Sequence, residues 1–449
     1  MLGAFNNIFK IPELRKRLVF TLGILFLLQV GNRVPIPGID SALLEELNRN
    51  SGGGIFGLIN QFTGGAFSQL SVFAMGVMPY ITASIVFQLL TLVWPTLEQL
   101  SKEGEEGRKK IEQWTRYATV GITFMQSFML LSSYQYQTLG QGGGNTVAYN
   151  PGLFFLLEGA LGMTTGTILV MWMGEQITQR GIGNGISIII FANIVARFPQ
   201  SVTLMAVLVR EGGVAFPIVL VMIAMMVVVI AFIVLLTYGQ RRVMIKRGKQ
   251  IVGRRTAPAT TSYLPLRINT AGVIPVIFAS SIMIFPSTLL TLVGGLFPES
   301  WNLFLQDFIN GFLVPGKPIY VCCEFLLILF FAYFYTAITF NPKDIAENLQ
   351  KHGVAIPGYK HGAKTEEYLN TILTRITLAG AIMLAAVAVL PQIFIAWSHV
   401  PSQMNDFLGG TSLIIVVGVA LDTVNQIENH LRVRNYEGFR AGPMRRPRF

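Results

Sequence analysis

The chain has 449 residues, 52% of them hydrophobic and 13% charged, with a formal net charge of +11. Soluble domains carry roughly 25% charged residues, so this chain has too few charges to clothe several water-facing surfaces. The apolar content excludes a disordered chain, and two cysteines exclude a disulfide scaffold. A chain both apolar and basic points to lipid as its solvent, with the charge gathered in loops.

A helix crossing the bilayer core needs about 20 mostly apolar residues. Ten stretches qualify: Leu18–Val34, Leu70–Trp94, Tyr117–Tyr136, Leu153–Gly174, Ile182–Phe198, Val214–Tyr238, Ala271–Val293, Ile319–Phe340, Ile372–Ile395 and Leu408–Thr423. The fifth and tenth are short, as suits helices packed inside a bundle. With Arg33, Arg197 and Arg375 counted in their adjoining loops, alternate loop segments hold 29 and 5 of the 34 Lys and Arg residues. Basic loops stay cytoplasmic, so both termini are expected there. The alternation also supports the count of ten. Arg15, Lys16 and Arg17 precede the first span as in a signal peptide. The span ends in Gly31-Asn32-Arg33-Val34-Pro35 rather than in a small-residue cleavage site, so it is expected to be retained.

Between spans one and two, Ser51-Gly52-Gly53-Gly54 leads into an apolar stripe of Ile55, Phe56, Leu58, Ile59 and Phe62, then Thr63-Gly64-Gly65 and Phe67. The stripe is too short to cross and reads as re-entrant or interfacial. A mobile apolar plug and a static loop both fit it.

Span two contains Gly76-Val77-Met78-Pro79-Tyr80-Ile81-Thr82-Ala83-Ser84, and span seven contains Gly272-Val273-Ile274-Pro275-Val276-Ile277-Phe278-Ala279-Ser280, identical at six of nine positions. The copies occupy equivalent places in two five-span halves. Five is odd, so they run in opposite directions, the signature of an inverted repeat with its pathway between the halves. The proline of each copy is expected inside its helix as a kink. Val77 with Ile81, and Val273 with Ile277, each share a helix face, so facing halves would make an aliphatic constriction.

Little else in the spans is chemical. Glu158, Glu324 and Asp422 fall close to span ends and are expected to be solvated. The Gly181-Ile182-Gly183-Asn184-Gly185 stretch lacks the lysine and preceding strand of a phosphate loop, and the four histidines show no metal-ligand spacing. No enzyme activity and no cofactor are expected.

The segment between spans six and seven carries Arg241, Arg242, Lys246, Arg247, Lys249, Arg254, Arg255 and Arg267, and Lys343, Lys351, Lys360 and Lys364 come after span eight. Pro258, Pro265 and alternating Val and Ile suggest a structured protrusion. Attraction to anionic lipid explains part of this charge. Dense arginine also suits an acidic or phosphate-rich partner.

Several stretches together, Ile36-Pro37-Gly38-Ile39-Asp40, Gly76 to Ile81, Lys102-Glu103-Gly104-Glu105, Gly174-Glu175-Gln176-Ile177-Thr178, Arg180 to Ser187, Ala271 to Pro275 and Gly409-Gly410-Thr411-Ser412, resemble the SecY family. The resemblance runs in order from the first span to the last. It implies an all-α membrane protein with ten transmembrane helices in two pseudo-symmetric inverted five-helix halves. The function it implies is a passive channel in the bacterial plasma membrane. Unfolded secretory polypeptides would cross through it, and membrane proteins would leave it sideways. On this reading residues 1–17 are a cytoplasmic segment, 18–198 the first half with a plug at 55–69, 199–428 the second half with loops 239–270 and 341–371, and 429–449 a basic tail.

The resemblance also implies roles. Val77, Ile81, Ile190, Ile277 and Ile415 match a pore ring, which holds no passing sequence and resists ions because they would lose their hydration. Thr82, Gln88, Asn269 and Phe285 match a lateral gate between spans two and seven. The basic residues Arg241, Arg242, Lys246, Arg247, Lys249, Arg254, Arg255 and Lys360 match a docking face for the SecA ATPase or the ribosome. SecE and SecG are the implied small membrane subunits, with signal peptides, unfolded preproteins and membrane lipids as further partners. The family usually has Gly-x-Arg-Pro-Gly after span eight, where this chain reads Gly358-Tyr359-Lys360-His361-Gly362. Lys360 keeps the charge without the guanidinium fork. A small-solute secondary transporter is the alternative reading; it would need a polar midplane site where the repeat faces are aliphatic.

Overall fold

A computed structural model describes residues 11–41, 43–44, 47, 55–137, 146–247, 250–252, 255–257, 261–293, 304–305, 307–308, 311–360, 362–398 and 409–440. Each predicted span contains a helix. Spans one to five hold α1 (Pro12–Gly31), α3 (Met78–Val93), α5 (Glu105–Tyr134), α6 (Leu153–Arg180) and α7 (Gly185–Arg210). Spans six to ten hold α8 (Phe216–Tyr238), α9 (Ile274–Val293), α10 (Pro318–Thr339), α12 (Ala363–Trp397) and α13 (Gly410–Arg440). Among the described residues, six helices are long and apolar enough by themselves to cross a membrane, and a seventh counts if α3 is joined to α4 (Pro95–Lys102), which bends away by 99° at Trp94-Pro95.

The packing of one half recurs in the other. Span one packs on four and five, two on three, three on four, and four on five; span six packs on nine and ten, seven on eight, eight on nine, and nine on ten. Adding five to each number of the first set gives the second. The halves meet where span seven packs against two and three, and span ten against five.

The repeat motif behaves alike in both places, though not as expected. Gly76 and Gly272 adopt left-handed backbone, φ +54° and +65°, which suits glycine. The helices begin two residues later, at Met78 and Ile274. Pro79 and Pro275 therefore occupy the second helical position, where the missing N–H costs nothing, and neither kinks a helix. The Ile81 N–H bonds the Val77 carbonyl at 3.1 Å, and the Ile277 N–H bonds that of Val273 at 3.2 Å. Residues 63–77, read from sequence partly as span, are mostly a chain of turns.

Other boundaries also move. Span five runs through Pro199 to Arg210, so the turn between the halves starts after Arg210 rather than at 199. Span ten continues as helix to Arg440, through most of the predicted tail. Glu324, expected near solvent, is 1% exposed and accepts from Gln392 Nε2 at 2.9 Å across spans eight and nine. The Gly181–Gly185 stretch ties helices together. The Asn184 side chain caps span five by accepting from the Ser187 N–H, the Gly183 N–H donates to Gln426 Oε1 of span ten at 2.9 Å, and the Gly185 N–H donates to Thr178 Oγ1 at 2.9 Å.

The basic segment after span six is a β-hairpin. β1 (Gln240–Arg247) pairs antiparallel with β4 (Thr261–Arg267), and the short β5 (Val354–Ala355) adds to the other edge of β1. Between them lie β2 (Gln250–Val252) and β3 (Arg255–Ala257), paired with each other. Val243 and Leu266 of the hairpin share a small core with Ile356, Leu369 and Ile372. The loop after span eight, including α11 (Pro342–Lys351), thus forms one unit with the hairpin.

Candidate pore, plug and gate

Three levels stack along the seam between the halves, and two helices display all of them. Residues three or four apart share a helix face, and span five places Ser187, Ile190 and Asn193 in such steps. Span ten runs through the levels in the opposite order, with Ser412, Ile415 and Val419.

The first level is a cavity of about 330 Å³. Ser187 and Val419 line it, with the side chains of Arg267, Asn269, Asp422 and Gln426 at its polar parts. Arg267 ends β4, so the cavity opens beside the basic hairpin. The second level is aliphatic. Val77, Ile81, Ile190, Ile277 and Ile415 come from four helix starts and interiors in both halves, are 0–4% exposed, and belong to one buried cluster. Burial of so much branched apolar surface, at about 25 cal/mol per Å², stabilises this packing.

The third level is the expected plug. Its helix α2 (Ile55–Phe62) packs against spans five and seven. Leu58, Ile59, Phe62 and Phe67 are buried in the same cluster as the aliphatic level. Ile55 and Phe56 lie in α2, but their side chains fall outside the described residues. The segment after α2 folds on itself, since the Ser68 N–H donates to Asn60 Oδ1 at 3.1 Å and Thr63 Oγ1 donates to the Ile59 carbonyl at 3.0 Å.

The four expected gate residues separate. Gln88 reaches across: the Tyr335 hydroxyl of span eight donates to Gln88 Oε1 at 3.0 Å, while Gln88 Nε2 donates to Ser84 Oγ at 3.1 Å. Thr82 turns back to the Met78 carbonyl at 3.1 Å. Asn269 stands in the cavity wall, donating to the Gly272 carbonyl at 3.0 Å and so bracing the turn before span seven. Phe285 is 40% exposed. Beside the Gln88 contact, Phe278 meets Phe331 and Tyr335 edge-on, with centroids 5.7 and 5.2 Å apart.

Of the expected docking residues, Arg241, Arg242, Lys246 and Arg247 are exposed along β1, and Lys360 is exposed in a turn bounded by Gly358 and Gly362 at φ +89° and +87°. Arg255 lies in β3, and Lys249 and Arg254 fall outside the described residues.

A family model described as SecY matches residues 71–424. The protein translocase subunit SecY of Streptomyces galbus is 43% identical over 446 residues, covering 98% of this chain and all of that one. That of Escherichia coli K12 is 42% identical over 425 residues, covering 95% and 93% of the two chains. The chain belongs to the SecY family. A solved structure of a protein conducting channel covers 94% of this chain and 96% of its own, with a TM-score of 0.62 at 15% identity. That likeness concerns the fold alone.

Within this SecY-family fold, three polar residues at the seam went unnoticed in the sequence, Gln61, Asn193 and Tyr335, and a fourth, Ser412, was quoted only as part of a motif. Gln61 Nε2 donates to Ser412 Oγ at 2.6 Å, and Asn193 Nδ2 donates to the Phe62 carbonyl at 2.9 Å. Asn193 did carry a signal, as an amide inside an apolar run one turn past Ile190. A polar side chain at such depth needs a partner, but the sequence does not say which.

Proposed function

We propose that this chain is the protein-conducting subunit of a bacterial Sec translocase, passing unfolded polypeptides across the plasma membrane and releasing apolar segments sideways into it. The observation that carries the reading is the convergence of five aliphatic side chains, drawn from both halves, between a polar cavity on one side and a short apolar helix on the other. An aliphatic collar offers an unfolded chain no hydrogen bonds to stick to, and it resists ions because it cannot replace their water. A transporter of small solutes would want polar groups at that level, where Val77, Ile81, Ile190, Ile277 and Ile415 stand.

In this reading the five residues are the pore ring, residues 55–69 the plug, and the contact of spans two, seven and eight around Gln88 the lateral gate. The basic face of β1 with Lys360 docks a motor, SecA or the ribosome, which supplies the energy. SecE and SecG accompany the chain in the membrane, and both termini lie in the cytoplasm, consistent with the 29 to 5 division of basic residues. The test is replacement. A bacterium depleted of its own SecY and given this chain should resume export of a signal-bearing preprotein. Continued accumulation of precursor, with the chain inserted and bound to SecE, would sink the reading.

A further inference from the structure

The plug straddles the seam, and a different hydrogen bond ties it to each half. On the first half, the carbonyls at the end of α2 are satisfied in turn. The Ile59 carbonyl accepts from the Thr63 N–H, that of Asn60 from Gly65 and that of Gln61 from Gly64. The last, Phe62, accepts from Asn193 Nδ2 at 2.9 Å. Span five therefore caps the plug helix with a side chain, at the end where a helix leaves carbonyls unpaired.

Asn193 is itself held. Its Oδ1 accepts from Asn32 Nδ2 at 3.1 Å and from Gln29 Nε2 at 3.2 Å, both on the end of span one. Asn193 and Asn32 are 2% and 4% exposed. The turn after the plug helix approaches this amide so closely that a Cβ on Gly64, at φ +68°, would stand 2.9 Å from Asn193 Oδ1. On the second half, Gln61 Nε2 donates to Ser412 Oγ at 2.6 Å, and these residues are 2% and 4% exposed. Such buried polar groups are costly to leave unpaired. A plug held by apolar burial alone would not need them.

We propose that Asn193 and Ser412 form a two-armed latch that keeps the plug seated and makes its release depend on separation of the halves. The proposal rests on the plug reading above. Because the arms belong to opposite halves, the plug cannot follow both when the seam opens. Parting of spans five and ten breaks either the Gln61–Ser412 or the Phe62–Asn193 bond and leaves the plug attached by the other. Asn193 has the stronger hold, since its amide is fixed by two donors from span one, whereas Ser412 offers a single hydroxyl.

The test is potassium chloride conductance of the full chain, reconstituted with its membrane subunits in planar bilayers without substrate. Four channels are compared: the unmodified chain, one with residues 55–69 replaced by a Gly-Ser linker, Asn193→Leu and Ser412→Ala. The linker channel should leak. Asn193→Leu should raise resting conductance about ten-fold, the effect of orphaning one buried carbonyl, and Ser412→Ala should raise it less. Asn193→Leu should add nothing in the linker background. With Cys322→Ala and Cys323→Ala, the pair Gln61→Cys and Ser412→Cys, bridged by a bifunctional methanethiosulfonate reagent that replaces the lost length of the glutamine, should reseal Asn193→Leu and be undone by reductant, a rescue that general loosening of spans one and five would not give. A linker channel that leaks beside tight Asn193→Leu and Ser412→Ala channels overturns the latch while leaving the plug. A linker channel as tight as the unmodified one overturns the plug reading itself. Should Asn193→Leu fail to assemble, Ser412→Ala decides by the same criterion, leak for the latch and tightness against it.

Discussion

The two copies of the repeat share a turn and a helix start, yet the chain leading into each has become a different device. Before Gly76 the lead-in is α2, the proposed plug, and a run of turns; before Gly272 it is the basic hairpin of β1 and β4. Both copies use a left-handed glycine, a valine cap and a proline in the first helical turn. Inversion explains the divergence. Because spans two and seven enter from opposite faces, the same position in the repeat meets the far side of the seam in one half and the basic, cavity side in the other. One lead-in folds inward over the aliphatic level and is buried. The other folds outward around its own small core of Val243, Leu266, Ile356, Leu369 and Ile372, leaving its arginines exposed.

The sharpest way to break this comparison is to remove each lead-in separately. Replacing residues 240–267 with a short Gly-Ser linker should abolish preprotein export while the resting channel stays tight to ions. Replacing residues 55–69 should do the reverse, raising ion leak while export continues. Export by vesicles and bilayer conductance read the two effects. If both replacements alter the same readout, the lead-ins are not separate devices.

A smaller effect tests what the copies share. Gly76→Ala and Gly272→Ala each force a side chain into left-handed backbone, at about 1–2 kcal/mol. The space around them differs. A Cβ at Gly76 would stand 3.1 Å from Thr63 Cγ2, beneath the plug, whereas at Gly272 the nearest atom is Asp422 Oδ2 at 3.7 Å. Both variants should therefore lower the thermal unfolding temperature in detergent, Gly76→Ala by more, and Gly76→Ala alone should disturb the ion seal. Equal losses with unchanged leak would show that the turn is only a backbone constraint.

How much of this was legible in the sequence depends on whether a feature is local. Span positions, the aliphatic level and the repeat rest on local pattern: apolar length, i to i+4 spacing and a nine-residue match. The spans and the paired halves hold, apart from helix starts, and the five aliphatic residues fall in one buried cluster. The prolines misled because a kink and a second helical position look alike until the preceding glycine is seen at positive φ. Span five, ended at Phe198 in the sequence reading, continues as helix through Pro199 to Arg210. Glu324 seemed near solvent by its place in the span, but its partner Gln392 lies 68 positions away. Asn193 with Phe62 and Gln61 with Ser412 are separated by 131 and 351 positions. Polar pairing across a bundle has no local signature, so these bonds, of which Gln61 with Ser412 joins the two halves, were hidden.

The smallest effect concerns the proposed gate, where the halves meet by helix packing and not through a lead-in. Gln88 stands on span two three turns beyond Val77, and Tyr335 on span eight donates to it across the boundary at 3.0 Å. Tyr335→Phe removes only the hydroxyl and keeps the edge-on contact with Phe278. A neutral hydrogen bond contributes about 1 kcal/mol, so the closed gate should be weakened roughly five-fold relative to the open one. The ring would still be intact, because Val77, Ile81 and Ile277 lie away from this bond. Resting ion conductance should therefore stay near that of the unmodified channel, while a preprotein with a weakly apolar signal sequence should be exported faster. Gln88→Leu should behave in the same way, and combining the two should add nothing, since each alone already removes the shared bond. Additive gains would mean that Gln88 and Tyr335 act on the gate through separate contacts, and a leak from either variant would mean that gate and seal are one structure rather than two.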